Sequence, residues 1–293
     1  MRRAFTLVER LVTIGIIAVL MSILMPVLSR MRKQAAGVVC SNNLRQLATG
    51  WTLYADVNQR ISCPGRLPRY AGPDSAYGLG DDEQYRPRWY ELLGATVHKY
   101  PDRHPSPHED DSWTIESELF LCPGVPEWRN SRNYPYGYNY QFLGNARPKP
   151  NLRWINYPVR STSIKAAETV MAADSVGTAA GKPVAARTPY YLDGTKDPDA
   201  WCNKGWALDP PRLTANADYA DPERRNPEDR SGPDPRHGGK VNVAFCDGHV
   251  EAMTLQQLGY VVRADGSIAA TDPAAHNKLF SGRGEDKDPP PVR

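Results

Sequence analysis

The sequence predicts an α+β protein in which one long N-terminal helix packs on a loop-rich antiparallel β-sheet. The first observation behind this prediction is an uncharged apolar run that continues into a stretch with helical periodicity. The second is a series of short strand-sized segments between glycine, proline and asparagine residues, ending in an Asp-Gly hairpin signal. A chain of 293 residues is long enough to give the globular part a core of its own.

The helix begins with an apolar segment, 11–28, that contains no charged residue. A run of about 18 apolar residues is near the lower limit for a helix that spans a bilayer, and this run lacks the polar face of a soluble amphipathic helix. A cleaved secretory signal would end in a small-x-small site, whereas here Arg30, Arg32 and Lys33 follow. Pro26 removes one backbone hydrogen bond and predicts a kink in the helix.

Ionisable residues stand at the entrance of this segment, where they are costly and commonly functional. The order Arg2-Arg3-Ala4-Phe5-Thr6-Leu7-Val8-Glu9 closely resembles the N-terminal signal of type IV pilins and type II secretion pseudopilins. The resemblance implies that a prepilin peptidase cuts between Ala4 and Phe5 and methylates the new amine of Phe5. Ala4 replaces the glycine usual in the family, and Arg10 is a second departure from its pattern.

Glu9 lies four residues past the implied cut. In the resembled family this carboxylate pairs with the N-terminal amine of a neighbouring subunit, which would fix the axial register during assembly. Pairing is physically sensible because an isolated charge in hydrocarbon is expensive. The alternative is a carboxylate that is favoured in the first helical turn by the helix dipole alone.

The resemblance also implies partners and a location. The partners are the prepilin peptidase/methyltransferase, other pilin or pseudopilin subunits including copies of this chain, and an inner-membrane assembly platform. After removal of the leader, 1–4, the transmembrane half of the helix, 5–29, would cross the inner (cytoplasmic) membrane once. The N-terminus would be cytoplasmic and the C-terminal body periplasmic or extracellular. Charge alone does not decide this orientation, because basic residues flank the segment on both sides.

The helix is predicted to continue through an amphipathic half, 30–58. Polar residues cover most of its faces, and the apolar residues recur every three or four positions, at Ala36, Cys40, Leu44, Leu47, Trp51 and Tyr54. This stripe is interpreted as packing against a globular body. A helix from Phe5 to Asp56 would be on the order of 75 Å long, far longer than a membrane requires.

The globular body is assigned to 59–285. Its clearest element is a hairpin, 240–253, in which apolar residues alternate before a two-residue turn, Asp247-Gly248. Other strand-sized segments lie at 119–123, 136–140 and 169–174. Residues 286–293 are predicted to form a disordered tail.

A His-x9-Asp-Gly pattern links His237 to Asp247 and Gly248. Together with the N-terminal motif, this pattern resembles that of large pseudopilin-like proteins from planctomycete-type bacteria. The resemblance also draws on the segments 40–47, 120–123, 136–139 and 173–175. We interpret His237, Asp247 and Gly248 as structural, because Asp-Gly is a favoured turn pair; the alternative is acid–base or metal chemistry. Asp174 and Ser175 are placed in the same corner.

No cofactor is expected. The five cysteines show no metal-binding spacing. In an exported body they allow one or two disulfides with at least one thiol left free, and the alternative is that all five are reduced. The polar loop 208–239 carries carboxylates that offer oxygen ligands to calcium, but the arginines among them favour a solvated loop. A net charge of +3 is too small to indicate a nucleic-acid partner.

These observations predict a pilin-like subunit, not an enzyme, that is assembled into a type II secretion pseudopilus or a type IV pilus-like fibre. The first alternative is a membrane-anchored extracytoplasmic module that binds polysaccharide or another surface ligand through some of its 7 tryptophans and 15 tyrosines. The second is a tethered hydrolase that uses His237 and Asp247.

Overall fold

The computed structural model of the chain describes residues 7–67, 87–99, 114–129, 133–148, 154–188, 204–214, 217–220, 230–269 and 271–291. The predicted leader and the cleavage site between Ala4 and Phe5 lie outside these ranges.

A long helix and a four-stranded antiparallel sheet form the framework. In chain order the elements are α1 (Leu7–Val57), α2 (Trp89–Thr96), β1 (Tyr136–Tyr138), α3 (Tyr140–Leu143), β2 (Gly144–Pro148), β3 (Trp154–Pro158), β4 (Val170–Asp174), β5 (Val241–Phe245), β6 (Val250–Met253), β7 (Val261–Val262) and β8 (Ile268–Ala269). The main sheet has the order β1-β4-β5-β6, while β2 pairs with β3 and β7 with β8. The predicted α+β class, with one long apolar N-terminal helix and antiparallel sheets, is confirmed.

The surroundings of α1 change along its length. From Leu7 to Leu28 its large apolar side chains are between 48% and 76% exposed. Beyond Cys40 one face is buried against α2, β4, β5 and β6. The buried residues are Cys40, Asn43, Leu44, Leu47, Ala48, Gly50, Trp51 and Ala55. The helix is therefore a stalk of about 75 Å whose C-terminal half belongs to the body and whose N-terminal half does not.

Asn43 is buried, although the periodicity of the sequence placed it on a polar face. Its side-chain amide donates hydrogen bonds of 2.9 Å to the carbonyl oxygens of Glu118 and Leu121. These carbonyls belong to a short 3-10 turn and the residue after it, which lie against α1. Asn43 thus adds a second donor to two carbonyl oxygens that also accept the Leu121 N–H at 3.1 Å and the Tyr136 hydroxyl at 3.0 Å, and its own amide is satisfied inside the core.

Aromatic side chains fill the space between α1, α2 and the sheet. Trp89 stacks on Tyr138 with ring centroids 5.2 Å apart, and Tyr90 stacks on Tyr134 at 4.3 Å. The indole N–H of Trp51 donates to the Tyr138 hydroxyl at 2.8 Å, which satisfies both polar groups inside the core.

The segment 208–239, predicted to be a solvated loop, is largely buried in its described parts, 208–214, 217–220 and 230–239. Asp209 is the reason, because its fully buried carboxylate joins several segments. It accepts hydrogen bonds from the Tyr140 hydroxyl at 2.7 Å and from the backbone N–H groups of Ser231 at 2.9 Å and Ala220 at 3.2 Å. The prediction of a solvated loop is wrong for these residues, since local polarity conceals such long-range pairing.

We expect Asp209 to make folding less favourable as the pH rises from about 4 to about 6. Burial raises the pKa of Asp209 to about 6 in the folded state, against 3.8 for an ordinary aspartate. The folded state binds the proton more tightly in this window, so its stability is greatest below the window and falls as the pH rises through it. The difference between the two pKa values corresponds to about 3 kcal/mol.

The test is denaturant unfolding of the wild type and of an Asp209→Asn variant at several pH values. The Asp209→Asn variant has no carboxylate that titrates at this position. Its altered hydrogen bonds destabilise the fold by an amount that does not change with pH. The free energy of unfolding of the wild type minus that of the variant should fall between pH 4 and pH 7. A difference that does not change with pH would exclude this role for Asp209.

The predicted disordered tail is instead held against the body at residues 286–288. Arg212 donates hydrogen bonds to the carboxylates of Asp286 at 2.6 Å and Asp288 at 2.8 Å. The backbone N–H of Asn277 donates to Asp286, and the Asn277 amide donates to the backbone carbonyl of Lys287. Ion pairing with a distant arginine, which composition does not reveal, orders these residues.

Candidate functional site

His237 lies in a tight turn that precedes β5. Its backbone pairs with that of Lys240, and both intervening glycines, Gly238 and Gly239, have positive φ values of 68° and 81°. A two-residue turn with positive φ at both central positions favours glycine strongly. The turn directs the His237 side chain towards α1, where the ring is almost buried, with 8% of the side chain exposed.

A disulfide lies beside this ring. Cys40 of α1 is bonded to Cys122, and the two Cα atoms are 5.4 Å apart. The His237 Nε2 atom is 3.6 Å from the Cys122 sulfur. The disulfide fastens α1 to the body, and it settles one pairing that the cysteine spacing left open. Cys63 and Cys246 are buried free thiols, and Cys202 lies outside the described residues.

Asp174, at the end of β4, completes the corner. Its Oδ2 atom accepts the backbone N–H of Asn242 at 2.8 Å and lies 3.5 Å from His237 Nε2. Burial raises the pKa of Asp174 to about 7, against the opposing effect of Arg236. Burial and the charge of Arg236 lower the pKa of His237 to about 4. The imidazole is therefore neutral at pH 7, and its contact with Asp174 is not an ion pair.

Asp247 and Gly248 lie at the other end of β5, in the turn of the hairpin. Three residues, 246–248, separate the paired Phe245 and His249, so the predicted two-residue turn is one residue too short. Only Gly248, with a φ of 97°, needs the positive-φ region. The Asp247 carboxylate accepts a hydrogen bond from the backbone N–H of His249 at 3.1 Å. The same carboxylate is 2.6 Å from Nδ1 of the His249 ring. Asp247 thus braces the turn of which it is part.

The structure separates His237 from Asp247. The five residues of β5 lie between them, and at about 3.3 Å per residue this places them roughly 16 Å apart. An acid–base pair has to reach a common substrate atom, and these two side chains do not converge on one. The corner instead brings His237 to Asp174, which was expected nearby, and to Cys40 and Cys122, which lie in segments that share the family resemblance but were not predicted to meet His237.

The exposed half of α1 is the second candidate site. The helix is long and apolar enough to cross a membrane, and none of its apolar window is buried within the chain. Glu9 lies in its first turn and Pro26 lies inside it. The same length and composition also fit a signal sequence near an N-terminus.

The carboxylates considered for calcium are only partly described. Asp218 and Asp234 are among the described residues, whereas Asp221, Glu223, Glu228 and Asp229 are not. Asp234 is bound by two arginines, with its oxygens 3.0 Å from Arg187 and 3.4 Å from Arg236. Each oxygen of Asp234 therefore faces an arginine, which disfavours a cation at this carboxylate.

No protein-family model, curated protein or solved structure matches this chain.

Proposed function

We propose that this chain is a membrane-anchored, pilin-like subunit that is processed by a prepilin peptidase and assembles with related subunits. The observation that carries the proposal is the division of α1. A single continuous helix presents an exposed apolar half, Leu7 to Leu28, and then builds the core of the body with its second half. Such a helix can store the subunit in a membrane and pack with copies of itself while the bodies face outward.

The packed half of α1 favours an anchor over a cleaved signal sequence. Leu44, Leu47 and Trp51 are core residues, and Cys40 ties the helix to Cys122. A body built on this helix keeps the apolar half covalently attached unless a peptidase cuts close to Arg30. The apolar run is followed by Arg30, Arg32 and Lys33, and not by the small-x-small site at which secretory signals are cut.

The aromatic residues give no support to a glycan-binding module. Four tryptophans have side chains that the structure describes, and all four are buried: Trp51, Trp89, Trp128 and Trp206. Stacking on a sugar needs an exposed ring face, and none of these four side chains offers one.

In this proposal the N-terminus is cytoplasmic, the body lies outside the inner membrane, and the type II secretion pseudopilus or type IV pilus-like fibre is the assembly. Glu9 enters the apolar layer one turn into the helix, where a neighbour's methylated amine at Phe5 would compensate its charge. Each such pairing aligns one subunit axially against the next. The chain's work is then mechanical and needs no catalytic residue.

We expect Glu9→Leu to abolish assembly while membrane insertion is retained. Loss of one partner of a buried ion pair costs about 3–5 kcal/mol, so subunit contacts should weaken by at least about 100-fold. The measurement is site-specific cross-linking of subunits in membranes of the native host, together with recovery of sheared fibres. Ser22→Ala is the matched control, because the Ser22 hydroxyl donates to its own helix backbone, at the Val19 carbonyl, and to no other described residue.

Cross-linked multimers at the wild-type level in Glu9→Leu would refute the pairing. If Ser22→Ala also abolishes assembly, the membrane half of the helix tolerates no substitution. The loss in Glu9→Leu would then not be evidence for a specific role of Glu9.

A further inference from the structure

Four side chains of the types that bind zinc converge beside the turn that precedes β5. One ligand atom from each of Cys40, Cys122, Asp174 and His237 lies within 4.8 Å of the other three. They come from four separate parts of the fold, namely α1, the segment after the 118–120 turn, the end of β4 and the turn before β5. All four residues are buried or nearly so.

We propose that these four side chains bind one Zn²⁺ ion when the disulfide between Cys40 and Cys122 is open. Zinc favours four ligands in a tetrahedron, at about 2.3 Å for sulfur and about 2.0 Å for nitrogen and oxygen, so that neighbouring ligand atoms lie roughly 3.3–3.8 Å apart. Two separations already fall in this range. His237 Nε2 is 3.6 Å from the Cys122 sulfur and 3.5 Å from Asp174 Oδ2.

The carboxylate has an oxygen to offer. Asp174 Oδ1 is buried and has no hydrogen-bond partner among the described residues. A buried polar atom without a partner costs about 1–3 kcal/mol, and a metal ion would satisfy it. The other oxygen, Oδ2, is the one that lies 3.5 Å from the imidazole. It accepts the backbone N–H of Asn242, which orients the carboxylate, and it keeps a second lone pair, so a metal in the cluster is able to bind the carboxylate through either oxygen.

Two glycines make room for the imidazole. A Cβ atom at Gly124 would lie 3.2 Å from His237 Cε1, and one at Gly37 would lie 3.4 Å from the same ring. A side chain at Gly124 would press on the ring, and one at Gly37 would be in van der Waals contact with it. The Asn242 amide donates to the carbonyl oxygen of Gly37 at 3.2 Å, so α1 is held in place on the side of the site that supplies Cys40.

A two-electron reductant, such as a dithiol or a phosphine, first converts the disulfide to two thiols. The zinc binding that follows is a ligand exchange in which no electron moves. Both thiols lose their protons to solvent, Zn²⁺ loses bound water, and two Zn–S bonds, one Zn–N bond and one Zn–O bond form. Two thiolates and a carboxylate leave the site with one net negative charge, and Arg236 lies next to it, donating to the carbonyl oxygen of Ser175 at 2.7 Å. The disulfide and the metal compete for the same two sulfurs, and either of them fastens α1 to the body.

The test uses the full chain in detergent micelles, reduced with a phosphine and then desalted after incubation with Zn²⁺ or with Co²⁺ as a spectroscopic probe. The reduced protein should retain one equivalent of zinc by elemental analysis. The cobalt form should show thiolate-to-metal charge transfer and the intense visible bands of a tetrahedral site. The oxidised protein should retain none.

His237→Gln and Asp174→Asn should each lower zinc affinity at least 10-fold, because each removes one ligand. The matched controls are Cys63→Ala and Cys246→Ala, which remove buried thiols outside the cluster and should leave the stoichiometry at one. Thermal unfolding of each oxidised variant, in which the disulfide holds the corner without metal, identifies any variant that fails to fold.

Zinc below a tenth of an equivalent in the reduced wild type overturns the proposal. So does zinc that is retained with unchanged affinity in folded His237→Gln and Asp174→Asn, because the metal would then be held elsewhere. The site is independent of the membrane function proposed above, so neither result bears on that function.

Discussion

A variant that begins at Gln34 is expected to leave the membrane fraction completely and to remain folded in solution. The residues removed carry the exposed apolar half of α1, and those before Ala36 are exposed throughout the described part of the helix. The buried face from Cys40 to Ala55 and the disulfide are retained. Because the removed residues supply the only long apolar surface of α1 that the body leaves uncovered, membrane affinity should be lost without loss of the core.

The measurement is carbonate extraction of membranes for the full chain and for the variant, followed by circular dichroism and thermal unfolding of the soluble product. Leu47→Asp in the full chain is the informative control, because Leu47 is fully buried in the packed half. That change should unfold the body and leave membrane attachment intact. A truncated variant that still sediments with membranes, or that is soluble only as aggregate, would show that the two halves of α1 are not separable in this way.

Replacing both Cys40 and Cys122 with serine is expected to lower the free energy of unfolding by about 4 kcal/mol in metal-free oxidising buffer. The disulfide joins residues separated by 82 positions, and the loop entropy that it removes from the unfolded chain grows with the logarithm of that length. The bond closes this loop between Cys40, the first buried residue of α1, and the segment around Cys122.

Denaturant unfolding of the soluble variant that begins at Gln34 measures this effect without detergent. The parent protein treated with a reductant and a chelator should have the same stability as the double variant, because both lack the bond and any metal. If the double variant is as stable as the oxidised parent, the bond does not constrain the unfolded chain, and the attachment of α1 rests on packing alone.

The parts of this fold that the sequence predicted are those with a local signal. An apolar run and a three-to-four-residue stripe predicted a helix close to the observed Leu7–Val57, because both are repeated along one element. Alternation of valines with polar and small residues predicted β5, and the Asp-Gly pair predicted its hairpin. The turn was predicted one residue too short because Asp-Gly also fits a three-residue loop with glycine at its last position.

What could not be predicted depends on partners far away in the chain. Asn43 has the polarity of a surface residue, and only the carbonyls of Glu118 and Leu121 explain its burial. Asp209 likewise belongs to a polar segment and is buried because several donors from other segments reach it.

The same reason limited the prediction of the candidate site. The His-x9-Asp-Gly spacing pointed to His237 and Asp247 as a pair, but a strand between them holds them apart. The residues that do meet His237 are Cys40, Cys122 and Asp174, which come from the three other segments. The spacing of residues along one strand predicts the face of the sheet on which each residue lies. It does not predict which other segments pack against that face.

The most direct test of the proposed function is the mass and N-terminal sequence of the protein recovered from membranes of its native host, beside an Ala4→Leu variant. The proposal predicts a chain that starts at N-methylated Phe5, and an uncut chain starting at Met1 in the variant, because the larger side chain blocks the peptidase. A wild-type chain that still starts at Met1, or one that starts beyond Arg30, would contradict prepilin processing and with it the assembly role of this subunit.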